Sequence, residues 1–164
     1  MRRMCVLTLV GVVAACLTSC GEKGGGGSAA DHSSPKATFE TMWAAAKAGN
    51  KDAMMACFSK DCSTAMAEFE KLFATMPKEM KAGKGTPSDD MVSMAKTGTI
   101  SIGAEKIDGD KATLEVTTNG EKDTHEFIKE GGAWKLYIKE LAELPIEEMK
   151  QAIETMKNPA KDEK

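Results

Sequence analysis

Few side chains in this chain of 164 residues have both the type and the spacing to do chemistry. Asp123 and His125 sit two apart in "EKDTHEFIK", which puts both on one face of an extended strand. A carboxylate beside an imidazole can act as general acid and base; the alternative is a rim histidine next to a solvated hairpin-end carboxylate. Cys57 and Cys62 sit five apart in "CFSKDC". On one continuous helix such side chains point roughly 140° apart. A turn at "SKD" between two helices would let them form a disulfide; otherwise Cys57 is a buried thiol on an apolar stripe. Neither has the C-x-x-C spacing that lowers a thiol pKa for redox work. Of 12 methionines, all but Met1 and Met4 lie beyond the first twenty residues. Thioethers with cysteine can bind Cu(I). Their helical spacing instead reads as adaptable core filling, so no metal site is expected. The remaining nucleophile is Cys20, between an apolar run and four consecutive glycines.

Cys20 is explained by what precedes it. Arg2 and Arg3 are followed by the apolar run Cys5–Leu17, thirteen residues. That is short of the ~20 a membrane-spanning helix needs, and fits the hydrophobic region of a signal peptide. "LTSC", Leu17 to Cys20, resembles the lipobox of bacterial lipoproteins. The resemblance implies cleavage between Ser19 and Cys20, a diacylglycerol thioether on Cys20, and acylation of the new amino terminus by a chain such as palmitate. Two or three acyl chains anchor stably where one does not. An ordinary secretory signal with an incidental cysteine is the alternative. Gly21, in place of an inner-membrane retention aspartate, favours the outer over the inner membrane. "GEKGGGGSAADHSS" then reads as a flexible tether in which His32 is solvated. The 22 basic and 25 acidic side chains give a net charge of −3, which becomes more acidic once Arg2 and Arg3 are removed. No basic patch suits nucleic acid.

The folded body must position the rest. Ser34-Pro35 caps and opens a helix whose Phe39, Met42, Trp43 and Ala46 share one face. Gly49 ends it, and a short helix carries Met54, Cys57 and Phe58. A third is expected from Ser63 to Met76 on the stripe Met66, Phe69, Phe73 and Met76, with a loop after it. "TPSD" starts a fourth with Thr86, Pro87 and Asp89 as a capping-box variant, so Asp89 and Asp90 read as cap and dipole residues, not a catalytic pair. From Thr99 the period changes to two, and "DGD", "NG" and "EGG" separate four strands of an antiparallel meander. If Asn119-Gly120 and Gly131-Gly132 are two-residue turns, Ala112, Leu114, Val116, Asp123, His125, Phe127, Trp134, Leu136 and Ile138 share the inner face. Tyr137 falls on the outer face. Ile100 and Ile102 join the inner face if "DGD" is a three-residue loop. A last amphipathic helix presents Ile146, Met149, Ile153 and Met156.

The layout is α+β: N-terminal helices packed on a curled antiparallel four-stranded sheet, plus a C-terminal helix. Five segments follow: signal peptide 1–19, lipidated cysteine and tether 20–33, domain 34–140, C-terminal helix 141–157 and a solvated tail 158–164. "PKATFETMWAAAKAGNKDAMMACFSKD" and "HEFIKEGGAWKLYI" resemble the cone-shaped, cystatin-like superfamily of nuclear transport factor 2 and ketosteroid isomerase, in particular small bacterial lipoproteins carrying that domain. The resemblance implies that the inner face lines a conical pocket, here Asp123, His125, Leu114, Phe127, Trp134 and Leu136. The tyrosine-plus-acid oxyanion hole of ketosteroid isomerase is not recognisable. The expected function is therefore non-catalytic: an envelope lipoprotein on the periplasmic or exterior side that binds a small ligand or an envelope protein, with no cofactor beyond its covalent lipid. The alternative is a small pocket enzyme of isomerase or dehydratase type using Asp123 and His125.

Overall fold

Ser34 opens the first helix as the sequence requires: its Oγ accepts from Ala37 N at 3.0 Å, with Pro35 in the first turn. The computed structural model describes residues 30–81 and 85–157; the leader, Cys20 and the tail 158–164 lie outside them. The elements are α1 (Pro35–Lys47), α2 (Lys51–Met55), α3 (Lys60–Thr75), α4 (Lys78–Lys81) and α5 (Pro87–Thr97). They are followed by β1 (Ile100–Asp108), β2 (Lys111–Thr118), β3 (Glu121–Glu130), β4 (Ala133–Tyr137), α6 (Lys139–Ala142) and α7 (Ile146–Lys157). Helix α3 starts three residues before the expected Ser63, because Ser59 caps it by accepting from Cys62 N and Asp61 stabilises its first turn. Part of the expected loop after it winds into the single turn α4. The capping box at α5 forms: Asp89 N donates to Thr86 Oγ1 and Thr86 N to Asp89 Oδ2, each at 3.3 Å. Asp89 also pairs with Lys51 at 2.6 Å, tying α5 to α2.

The strands form one open antiparallel sheet in the order β1-β2-β3-β4. Asn119 (φ 53°) and Gly120 (φ 90°) make the tight turn that sets Leu114 opposite His125, Val116 opposite Asp123 and Ala112 opposite Phe127. Gly131-Gly132 sets Phe127 opposite Leu136 in the same way. The first hairpin differs from expectation. "DGD" is a two-residue turn through Gly109 and Asp110, with Asp108 opposite Lys111 and Ile107 opposite Ala112. A bulge then intervenes between Ile102 and Glu105, so Ile102 comes opposite Val116 and Ile100 opposite Thr118. The extra residue at Gly103-Ala104 restores the parity that a two-residue turn would have cost, and both isoleucines pack at the edge of the core.

The inner sheet face buries against α1. Leu114, Val116, Phe127, Trp134 and Leu136 meet Phe39, Met42 and Ala46, while Met54, Cys57, Phe58, Cys62 and Met66 close one side and Ala95 of α5 the other. Thr38, fully buried, spends its hydroxyl on the Trp134 carbonyl at 3.1 Å, pinning α1 to β4. The outer edge of β4 is not left open. Trp134 N donates to His32 O, Leu136 N to Cys57 O and Ser59 N to Leu136 O, at 2.9 to 3.0 Å. His32 is therefore held on the sheet edge and half-buried, two residues before the expected domain start. Helix α7 packs on α3 through Ile146 and Ile153, away from the sheet.

Candidate functional site

Strand β3 delivers His125 to the inner face, against α1, which crosses the sheet and carries α5 on its side. Its ring lies 5.1 Å from that of Phe39, tilted by 35°, and Phe39 in turn stacks on Trp43 at 6.4 Å. Beside it is an apolar cleft of about 100 Å³ between the two helices and the sheet. Phe39, Met42, Trp43 and Ala46 come from α1, Met91 and Met94 from α5, and Phe58, Thr118, Leu136 and Ile138 complete the wall. Apolar cavities of this order, ~150 Å³, can stay dry and accept a benzene-sized molecule. His125 is the one titratable lining residue. Burial pushes its pKa below the ordinary histidine value, with Asp123 opposing, so the imidazole is held neutral near pH 7. Among the described residues no protein group hydrogen-bonds its ring, and its nitrogens are not among the buried atoms without a partner; that atom is Nδ1 of His32.

Asp123 shares the face with His125 but sits near the hairpin tip, exposed to solvent. Its Oδ1 accepts from Thr124 N at 2.7 Å and does not bond the imidazole. An acid–base pair enclosed against a substrate is thus not assembled. Tyr137 lies opposite Glu126 on the outer face, as the alternation requires. Leu114, Phe127 and Trp134, read from the sequence as pocket walls, are instead buried in the packed core; Leu136 alone of the apolar four also lines the cleft. Phe39 and Met42 of α1 pack with these side chains over the inner sheet face.

Cys57 and Cys62 are free and buried. Cys57 Sγ donates to Ala53 O at 3.4 Å, the helical i−4 carbonyl, whereas Cys62 Sγ faces Ile138, donating to its carbonyl at 3.3 Å. Burial pushes the Cys57 thiol up to about 11, so its thiolate is disfavoured. Among the described residues, no group of three or more His, Cys, Asp and Glu converges as metal ligands. Larger hollows of about 480 and 580 Å³ lie on the outer sheet face and between α3 and α7. Both are shallower and rimmed by mixed or acidic charge, including Lys106, Asp108, Lys111 and Glu126 in the first and Asp61, Glu68, Glu147 and Glu148 in the second. Cys20 and Ser19 lie outside the described residues.

The sequence reading missed Met91, Met94, Trp43 and Phe39 as site residues. Their helical stripes were legible, but as core positions. Nothing in a one-dimensional pattern says that two stripes meet short of full contact. Compared with protein-family models, with curated proteins and with solved structures, the chain matches none.

Proposed function

We propose that this protein is a lipoprotein of the cell envelope that is anchored through Cys20 and binds a small group in the cleft beside His125 without transforming it. The carrying observation is the cleft itself: apolar, open at one side, and bordered by the ring of His125, whose burial favours the neutral imidazole. Pockets of this make-up, mostly apolar with one oriented polar group, bind ligands. The helices-first order and the four-stranded meander are in keeping with the cone-like superfamily of nuclear transport factor 2, whose pocket in this chain contracts to the cleft. Gly21 favours the outer membrane, and the glycine-rich tether keeps the site within reach of the lipid surface. The membrane is then the standing partner, and the ligand comes to it.

Benzene, a small apolar probe, tests the reading. In NMR titration it should shift the resonances of His125, Trp43 and Met94 together and saturably. Shifts confined to the outer sheet face would overturn the site. Anchoring is tested separately: Cys20→Ser should release the protein from membranes, and continued retention would contradict it.

A further inference from the structure

Strand β3 outruns the strand beside it. β4 ends at Tyr137, opposite Glu126, and the chain turns away into α6, so residues 121–125 keep a strand partner on the β2 side only. The Asn119-Gly120 turn makes Thr118 and Glu121 a hydrogen-bonded pair, and the alternation of an antiparallel ladder then aims the N–H and C=O of Lys122 and Thr124 outward. The Thr124 N–H agrees: it donates to the Asp123 carboxylate at 2.7 Å, not to a strand. Beside this open edge lies a notch of about 410 Å³, lined by residues 123–126 of β3 and by residues 137–140, where β4 leaves. It shares His125 and Ile138 with the apolar cleft. The other sheet edges differ, because that of β4 is covered by His32, Cys57 and Ser59 and that of β1 is interrupted by its bulge. Asp123, Glu126 and Glu140 line the notch against the single cation Lys139, and among the described residues none of these four is in a salt bridge.

We infer that the notch takes a short extended segment of a basic protein partner, added to the open edge of β3 as a further strand in line with β4. This rests on the cleft being the binding site proposed above, and it names what enters the cleft: an apolar side chain of that segment. Main-chain bonds to Lys122 and Thr124 supply affinity, and the alternation of side chains supplies selectivity. A residue set opposite Asp123 points to the inner face, as Asp123 and His125 do, and so toward the cleft. A strand carbonyl arriving at the Thr124 N–H displaces the Asp123 carboxylate, which is then free to pair with a lysine or arginine of the segment. Like charge at Asp123, Glu126 and Glu140 selects against an acidic partner. The chain's own residues 158–164 do not supply the basic segment, since Lys161 and Lys164 are balanced by Asp162 and Glu163.

The test uses the full chain in a zwitterionic detergent and the peptide acetyl-Lys-Thr-Phe-Thr-Lys-amide, whose side chains read alike in both directions. In NMR titration the Lys122 and Thr124 amides, the His125 ring and the Met94 methyl group should shift together and saturate. Methylating the two threonine nitrogens of the peptide should weaken binding roughly tenfold or more, as the loss of two main-chain hydrogen bonds implies. Thr124→Pro should do likewise, because proline removes the outward N–H but no β2–β3 bond and is tolerated at a sheet edge, with the melting temperature as the folding control. The double variant Glu126→Gln/Glu140→Gln should weaken binding and flatten its salt dependence. The glutamate counterpart, acetyl-Glu-Thr-Phe-Thr-Glu-amide, should leave these signals unmoved. Equal binding of the methylated or the glutamate peptide, or shifts confined to the hollow between α3 and α7, would overturn the inference. If the peptide fails while benzene still shifts the cleft, the peptide inference alone falls; if both fail, so does the cleft as a binding site.

Discussion

The joint between α5 and β1 should be intolerant of a single added methyl group, and that intolerance should be felt in the cleft. Gly98 closes α5 by donating from its N–H to Met94 O at 2.7 Å. Its φ of −82° is ordinary for any residue, so backbone strain is not the reason for glycine here. Close approach is: a Cβ at this position would stand 2.6 Å from Met94 O and 3.3 Å from Asn119 Oδ1. Neither neighbour can yield easily. Met94 O belongs to the helix end, and Asn119 is clamped to Thr99 by reciprocal 3.0 Å bonds, Thr99 N to Asn119 Oδ1 and Asn119 N to Thr99 O. Gly98→Ala must therefore shift the last turn of α5 relative to the β2–β3 turn by more than half an ångström. Overpacking of that kind costs about 1–3 kcal/mol, which lowers Tm by roughly 3–15 °C in a domain of this size. Gly49→Ala is the control. Gly49 has φ +72° but nothing within 4 Å of an added Cβ, so only backbone strain of ~1 kcal/mol is expected and no displacement of α5. Thermal unfolding measures both costs, and methionine methyl NMR reports whether Met91 and Met94 move. A Gly98→Ala variant melting within about 1 °C of the parent, with Met94 unmoved, would refute the close-packed joint.

Three further outcomes follow from the titrating groups. Asp89 is held down to about 2 by the Lys51 ammonium and by Thr86, so its stabilising contribution is complete above the ordinary carboxylate range near 4. That contribution is lost as pH falls through about 2, and in urea titrations Asp89→Asn should remove this part of the acid dependence. His125 has the opposite charge logic but the same direction: its folded pKa lies below the unfolded value, so its contribution is intact above ~6.5 and is lost as pH falls through the folded value. His125→Gln should flatten the stability profile below neutrality, and an unaltered slope would place the imidazole in solvent. Cys57 and Cys62, both buried, should resist a thiol reagent at pH 8 in the folded protein and react in urea. Fast labelling of either native thiol would contradict their burial.

The parts of this fold that were legible in the sequence are those specified locally. Asn119-Gly120 and Gly131-Gly132 each dictate a tight turn, and a tight turn fixes the register of everything alternating beyond it. Thr86, Pro87 and Asp89 wrote the start of α5 in the same way. The bulge at Gly103-Ala104 was less visible, although a glycine inside a strand is its usual mark. With that bulge, a two-residue "DGD" turn still brings Ile100 and Ile102 inward. His32 illustrates the opposite limit. Its polar, glycine-rich surroundings read as tether, and only the unpaired edge of β4, a tertiary feature, draws its carbonyl into place. The cleft belongs to the same class. The residues on each stripe were nameable, but whether Phe39 and Met42 would fill the sheet's concavity depended on how closely α1 and α5 approach it.

The central claim is that a small apolar cleft beside His125 is real, accessible and unfilled by the protein's own side chains. A crystal of the protein under xenon pressure tests it most directly, because xenon enters such spaces with no polar requirement. Xenon density is expected between Phe39, Trp43, Met91 and His125 with the surrounding side chains unmoved. A well-ordered crystal with no xenon there, and Met91 or Met94 collapsed onto the Phe39 ring, would contradict it.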